Sequence, residues 1–234
     1  MLTRPTLALD TSTPALTVAV VHAPGGAGEA GAPVVLAARE VVDARRHAEL
    51  LTPLIETTLV AAGVEAAALT RLVVGVGPGP FTGLRIGLMT ASALGDALGV
   101  PVEGVCSLDA LAVEARDAGI EGPLLVATDA RRREIYWATY DETGRSAGPA
   151  VGRPADVLAE LAATGWTGAV VGDGARLHAA VFAEAGIDVA APWYPRAGDL
   201  VTALHRGAEL LAPRPLYLRR PDAQVPGAPK PVLA

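Results

Sequence analysis

A single cysteine in 234 residues, Cys106, leaves no partner for an internal disulfide and no thiolate cluster for a metal. It reads as a small core residue. Aromatic residues make up only 4%, so the core has to be built from Ala, Val and Leu packed at short range. Charged residues are sparse too, at 19% against 51% hydrophobic, which excludes a disordered chain and a coiled coil. The 19 Lys+Arg fall short of the 25 Asp+Glu, a formal net charge of -6. That balance argues against a surface built to grip phosphate backbones. No uncharged apolar run approaches the ~18 residues needed to cross a bilayer. The first apolar stretch is interrupted by Arg4 and Asp10, which a secretory leader would not carry. A chain of this length buries roughly 70–75% of its unfolded surface. A soluble, cytoplasmic α/β protein with no membrane association is expected.

Gly (26) and Pro (19) punctuate the chain into alternating strands and helices. Residues 6–9, 16–21 and 34–42 read as three successive strands. Thr11 to Pro14 turns between the first two, and the Gly-rich loop 24–33 reads as a hairpin tip without chemistry. A helix is expected over His47–Ala62, with Leu50, Leu51, Leu54, Ile55, Leu59 and Val60 apolar and Gly63 as its stop. Pro53 inside it predicts a kink near Leu50 or a start only one turn earlier. Residues 72–76 form a strand-length apolar run, as in a strand covered on both faces. A second helix follows over 82–98, and another strand opens at 100–102. The order βββαβαβ is that of a ribonuclease-H-like unit.

The second half restarts the pattern. Residues 126–129 echo 7–10, residues 135–140 echo 16–21, a helix is expected over 155–163, a strand over 169–171, and Gly172-Asp173-Gly174 opens another helix. This suggests an internal duplication with a boundary near 107–122. The expected first lobe is 1–106, completed by a returning segment at about 199–220, with a helix over 199–211. The second lobe is 107–198, and a loosely ordered tail covers 221–234.

Asp10-Thr11-Ser12 sits between two strands, where the N–H groups of a tight turn can meet phosphate oxygens. An Asx/ST turn that only closes the hairpin is the preferred reading. Gly75, Gly77, Gly79 and Gly83 fit neither the Walker loop nor the dinucleotide fingerprint. A rigid strand-to-helix turn with Thr82 as helix cap is expected instead. In the helix 82–98, Gly83, Gly87, Ala91 and Gly95 recur every fourth position. Each helical glycine costs about 0.8–1 kcal/mol relative to Ala, so something must approach that face closely. Only Arg85 and Asp96 are charged in the segment, so its outer face wants cover, from helix His47–Ala62 or from another chain, and a partner interface is preferred. His22, His47, His178 and His205 are never three to five residues apart, so no helix presents a pair of metal ligands. Asp129 to Glu134, with Arg131, Arg132 and Arg133, reads as a solvated hairpin tip.

Four strings occur in order: Leu9-Asp10-Thr11-Ser12-Thr13, then Gly77-Pro78-Gly79-Pro80-Phe81-Thr82-Gly83-Leu84-Arg85-Ile86-Gly87, then Asp129-Ala130-Arg131 with Glu134-Ile135-Tyr136-Trp137-Ala138, and Pro215-Leu216-Tyr217-Leu218-Arg219. Together they closely resemble the bacterial TsaB (YeaZ) family over about residues 7–220, the second string being the most specific. The Gly-rich insertion at 24–33 and Pro80 depart from the usual pattern. The resemblance implies an actin-like (ASKHA) fold of two ribonuclease-H-like lobes. It implies a non-catalytic subunit required with a TsaD-type paralogue, and with a TsaE-type ATPase, to make threonylcarbamoyladenosine beside the tRNA anticodon. Pairing would use the first two helices, through His47, Leu50, Leu51, Leu54, Thr82, Arg85, Ile86, Gly87, Met89, Thr90 and Ala91. A homodimer could occupy that face when TsaD is absent. The paralogue's His-x-x-x-His metal pair is reduced here to His47, with Leu51 four residues on. No cofactor of its own is therefore expected, ATP and metal belonging to partner subunits, with tRNA reached through the complex. Asp10, Thr11 and Ser12 would be a vestigial nucleotide turn. The alternative is a small-molecule kinase or nucleotide hydrolase on the same fold, using Asp10 and the turns at Gly77 and Gly172 to enclose ATP.

Overall fold

A computed structural model describes residues 4–23 and 31–219. Most of the Gly-rich loop (24–30) and the tail (221–234) noted in the sequence lie outside the described residues.

The first sheet is formed by β1 (Arg4–Asp10), β2 (Ala15–Ala23), β3 (Val34–Val42), β4 (Arg71–Gly75) and β5 (Val102–Val105), in the order β3-β2-β1-β4-β5. The second is formed by β6 (Leu124–Asp129), β7 (Ile135–Asp141), β8 (Gly144–Gly152), β9 (Ala169–Val171) and β10 (Val189–Ala190), in the order β8-β7-β6-β9-β10. In each, the first three strands pair antiparallel and the last two join in parallel. The two orders coincide strand for strand, which is the duplication the sequence suggested.

Among the described residues, seven α-helices cover these sheets: α1 (His47–Ala62), α2 (Phe81–Leu98), α3 (Ser107–Asp117), α4 (Pro154–Ala163), α5 (Asp173–Leu177), α6 (Ala179–Glu184) and α7 (Ala197–His205). Because successive strand residues face opposite sides, β1 serves two cores at once. Leu7 and Leu9 pack with Leu51, Leu54, Ile55, Leu84 and Leu88 of α1 and α2. Ala8 faces Ala110 and Val113 of α3 and Leu200 and Val201 of α7. Covered on both faces, β1 and β4 read as continuous apolar runs. α3 lies between the sheets: its other face sends Leu108, Leu111 and Ala115 against Leu124 and Val126 of β6. Cys106, fully buried in that seam, has its thiol pushed up to about 12 by burial, as suits an inert core group.

Several boundaries moved for physical reasons. α2 starts at Phe81 with extended Pro80 as its N-cap and no side-chain cap, so exposed Thr82 lies inside the helix and is not its cap. α1 begins at His47 and runs through exposed Pro53 as one element. α7 stops at His205, six residues short of the expected end, because Gly207 takes a left-handed φ of 94°. Beyond it the chain returns to the first sheet, where Leu211 bridges Gly104 and the Leu216 N–H donates to the Val76 carbonyl at 2.9 Å. Among the described residues, no helix is long and apolar enough to cross a membrane.

Candidate partner face and the two hairpin turns

The Asp10–Ser12 turn is closed from within. Asp10, Thr11 and Ser12 are all buried. One Asp10 carboxylate oxygen accepts from the Ser12 N–H at 2.8 Å and the Ser12 hydroxyl at 2.6 Å. The other accepts from the Ser107 hydroxyl at 2.5 Å, and Ser107 Oγ in turn accepts the Gly77 N–H at 3.1 Å. Burial raises the Asp10 carboxyl, opposed by these hydroxyl and N–H donors. Glycines make the closure possible: a Cβ on Gly75 would overlap an Asp10 oxygen, and one on Gly79 would overlap the Ser12 carbonyl. The three residues singled out as a vestigial nucleotide turn thus meet as one cluster, with both carboxylate oxygens already engaged by protein donors.

The glycine stripe of α2 faces this same turn. A Cβ on Gly87 would come within 2.3 Å of Thr11 Oγ1, and one on Gly83 within 2.6 Å of the Thr11 carbonyl. The Thr11 hydroxyl donates to the Gly83 carbonyl at 2.8 Å. Gly95 lies against Val102 of β5, and Ala91 is fully buried. The close neighbour that the glycines require is therefore the chain's own first hairpin and sheet edge. This corrects the expected partner face at Gly87 and Ala91, which are sealed in the monomer. The same holds for His47, Leu51 and Leu54 of α1, all buried. His47 Nε2 lies 3.3 Å from the Pro14 carbonyl, and Leu51, one turn on, is core.

Of the other expected interface positions, Leu50, Ile86 and Thr90 are half-buried, and Thr82, Arg85 and Met89 are exposed. Met89 is 68% exposed. Phe81, Arg85 and Met89 fall at i, i+4 and i+8, one outward stripe of α2. Tyr217 extends that stripe: its ring stacks on Phe81 with centroids 5.1 Å apart at 20°. The Arg85 guanidinium lies 3.9 Å over the Phe81 ring, and its Nε donates to the Tyr217 hydroxyl at 3.2 Å. Exposed aromatics gripping an Arg beside a bare Met have the composition of a binding hot spot. The residues expected at the partner face include neither Phe81 nor Tyr217. Phe81 sits in the quoted family string, but its partner lies far along the chain.

The corresponding turn of the second sheet is built differently. Arg131, Arg132 and Arg133 are exposed, with consecutive φ values of 61°, 55° and 62°. Asp129 accepts the Arg131 N–H at 2.7 Å and pairs with its guanidinium. Asp173, at the start of α5, accepts the Asp129 N–H at 3.2 Å and is pushed up to about 6 by burial. Arg219 donates to the Ala130 carbonyl at 3.1 Å and pairs with Glu134.

Two mixed five-stranded sheets of one order, flanked by helices with a shared helix between them, define the class: an α/β protein of the actin-like (ASKHA) kind. A family model described as TsaD, tRNA N6-adenosine threonylcarbamoyltransferase, matches residues 41–190. YeaZ from Pseudomonas aeruginosa superposes with a TM-score of 0.70 at 31% identity, covering 92% of this chain and 99% of that one. TsaB of Escherichia coli, a tRNA threonylcarbamoyladenosine biosynthesis protein, is 35% identical over 140 residues, which are 59% of this chain and 56% of the relative. An uncharacterised protein of Mycobacterium tuberculosis is 46% identical over 218 residues, 93% of each chain. This chain spans only 55% of a longer Mycobacterium leprae relative, 45% identical over 221 residues. The chain belongs to the TsaB (YeaZ) family, within the wider group described by that model.

Proposed function

We propose that this chain is a non-catalytic partner subunit in tRNA threonylcarbamoyladenosine biosynthesis, pairing through α1 and α2 with a TsaD-type subunit that performs the transfer. One observation carries the non-catalytic reading. The helix position at which a metal-binding paralogue would hold two histidines has a single buried His47 beside the Pro14 carbonyl, and core Leu51 one turn later. A one-histidine helix cannot chelate an ion by that route. The pairing surface is the outer stripe of Phe81, Arg85 and Met89, extended by Tyr217 and bordered by Thr82, Ile86 and Thr90 of α2 and Leu50 of α1. Aromatic, Met and Arg side chains are the types that interfaces concentrate. A TsaE-type ATPase would join the pair, supplying ATP chemistry that this chain does not, and the assembly would work in the cytoplasm. A homodimer through the same stripe would compete with the heterodimer.

Reconstitution tests this reading. The chain mixed with a TsaD-type and a TsaE-type subunit, threonylcarbamoyl-adenylate and tRNA should give modified adenosine by mass spectrometry, and leaving the chain out should abolish it. Modification at the same rate without the chain contradicts a required subunit. Micromolar ATP–Mg²⁺ binding by the chain alone would instead favour a kinase or hydrolase, against the closed Asp10 turn.

A further inference from the structure

The chain is acidic overall, yet one end of its second sheet is basic. β6, β9 and β10 run parallel and finish at that end. Arg131, Arg132 and Arg133 form the turn after β6, and Arg176 stands on α5 directly after β9. Arg153 follows β8, whose Gly152 pairs with Ile135 at the foot of the turn. Arg219 reaches the same turn from the C-terminal segment. Six of the chain's 19 Lys+Arg therefore gather there, and all but half-buried Arg219 are exposed. Four acids accompany them. Asp129 pairs with Arg131, Glu134 pairs with Arg219, Asp173 is buried beneath the turn, and Asp156 lies in the first turn of α4.

The tip is held in place. Three consecutive side chains occupy the left-handed region, where a Cβ is unfavourable and glycine is the easier choice. The Ala130 N–H donates to the Glu134 carbonyl and the Glu134 N–H to the Arg131 carbonyl, both at 3.0 Å, and Asp129 and Arg219 clamp the flanks. Arg176 is fixed over Trp193, 5.1 Å from its ring centre, and donates to the Tyr194 hydroxyl at 3.2 Å. Guanidinium groups carried on such a backbone-braced tip can meet phosphate oxygens in a planar, bidentate way. With this end basic and the remainder more acidic than the net charge of -6 shows, a polyanion is drawn to one end and repelled elsewhere.

We propose that this arginine rim is an RNA-contacting surface that takes the sugar–phosphate backbone of tRNA directly. This deepens the reading of the chain as a subunit of a tRNA-modifying assembly, on which it rests, and it replaces the expectation that tRNA is reached only through partner subunits.

The test is tRNA binding followed by fluorescence anisotropy across a KCl series, for the full chain alone and mixed with its TsaD-type partner. Arg132→Glu combined with Arg133→Glu is compared with a matched control, Arg39→Glu combined with Arg214→Glu. The rim variant should lose about tenfold or more in affinity at low salt. Its log–log salt slope should become shallower by about 1.4–1.8, since each of two phosphate contacts contributes about 0.7–0.9. The control should stay within about twofold of wild type, and Arg132→Lys with Arg133→Lys should retain most binding. A rim variant with wild-type affinity and slope overturns the proposal, as does an equal loss in the control. No tRNA binding by wild type in either form overturns it as well, as does binding of ATP or inorganic phosphate at the rim without RNA. Heterodimer formation and modification, measured on the same samples, separate the two claims. Wild type that modifies tRNA while the rim variant binds it normally removes only the rim. Wild type that binds tRNA through the rim yet neither pairs nor supports modification removes the subunit reading and leaves the rim.

Discussion

After β1 the chain turns through Asp10, Thr11 and Ser12, all buried, with Asp10 tied to Ser107. After β6, the equivalent strand of the second sheet, it turns through Arg131, Arg132 and Arg133, all exposed. The same duplicated hairpin has thus become a sealed joint in one lobe and a charged tip in the other. Glycine placement separates the two outcomes. Around the first turn, Gly75, Gly79, Gly83 and Gly87 remove side chains from four directions, so that the end of β4 closes on the Asp10 carboxylate, the loop before α2 on Ser12, and α2 on Thr11. Around the second, Gly172 and Gly174 let α5 sit under the strand end against Ala127 and Thr128, while the turn itself carries no glycine and projects outward.

The contrast can be broken hardest at Gly87. Gly87→Leu places a branched side chain where even a Cβ would overlap Thr11 Oγ1. Overpacking costs about 1–3 kcal/mol and occasionally more, and here backbone-anchored Thr11 cannot move aside cheaply, so the variant should melt well below wild type. A charged residue at Gly87 would for the same reason report on folding rather than on pairing. Ser107→Ala comes next, since it leaves one Asp10 oxygen and the Gly77 N–H buried without their partner. A loss of about 1–3 kcal/mol should lower the melting temperature by roughly 3–10 °C, read by differential scanning fluorimetry.

In the second lobe, burial holds the Asp173 carboxyl at about 6, above its ordinary range. A raised carboxyl contributes stability that is fully present below about pH 4 and is lost as pH rises through 6. Asp173→Asn should therefore gain on wild type by up to about 1.4 kcal/mol per pH unit between pH 4 and 6, and the two should run parallel above pH 7. The smallest effect is expected at the tip. Arg132→Gly with Arg133→Gly relieves left-handed strain of about 1–2 kcal/mol per residue, offset by the entropy glycine adds to the unfolded chain. A net gain under about 1 kcal/mol per site, visible as a slightly higher urea midpoint, would mark arginines kept at some cost to stability.

Much of this was readable beforehand. β1, β4 and β6 are covered on both faces and so appear as apolar runs, and the quoted family strings mark the two turns and the loop before α2. β8 escaped notice because its sequence, rich in Gly with a Pro, shows no alternation and forms an edge. α3 escaped because it is buried between two sheets and carries apolar residues on both sides, with no polar stripe to give it a period. The glycine stripe correctly signalled a close neighbour, but spacing alone could not tell the chain's own Thr11 from another subunit. The exposed Phe81–Arg85–Met89 stripe is offset from it on the same helix, and it is completed by Tyr217, 136 positions after Phe81, a juxtaposition only the folded chain creates.

Sedimentation of Met89→Asp with a TsaD-type subunit bears most directly on whether α2 turns its glycines inward and its Phe81–Arg85–Met89 stripe toward a partner. Met89 is mostly solvent-exposed in the isolated chain, so the variant should melt within a few degrees of wild type while its heterodimer weakens at least tenfold. A Met89→Asp chain that pairs as tightly as wild type would contradict the assignment of that stripe.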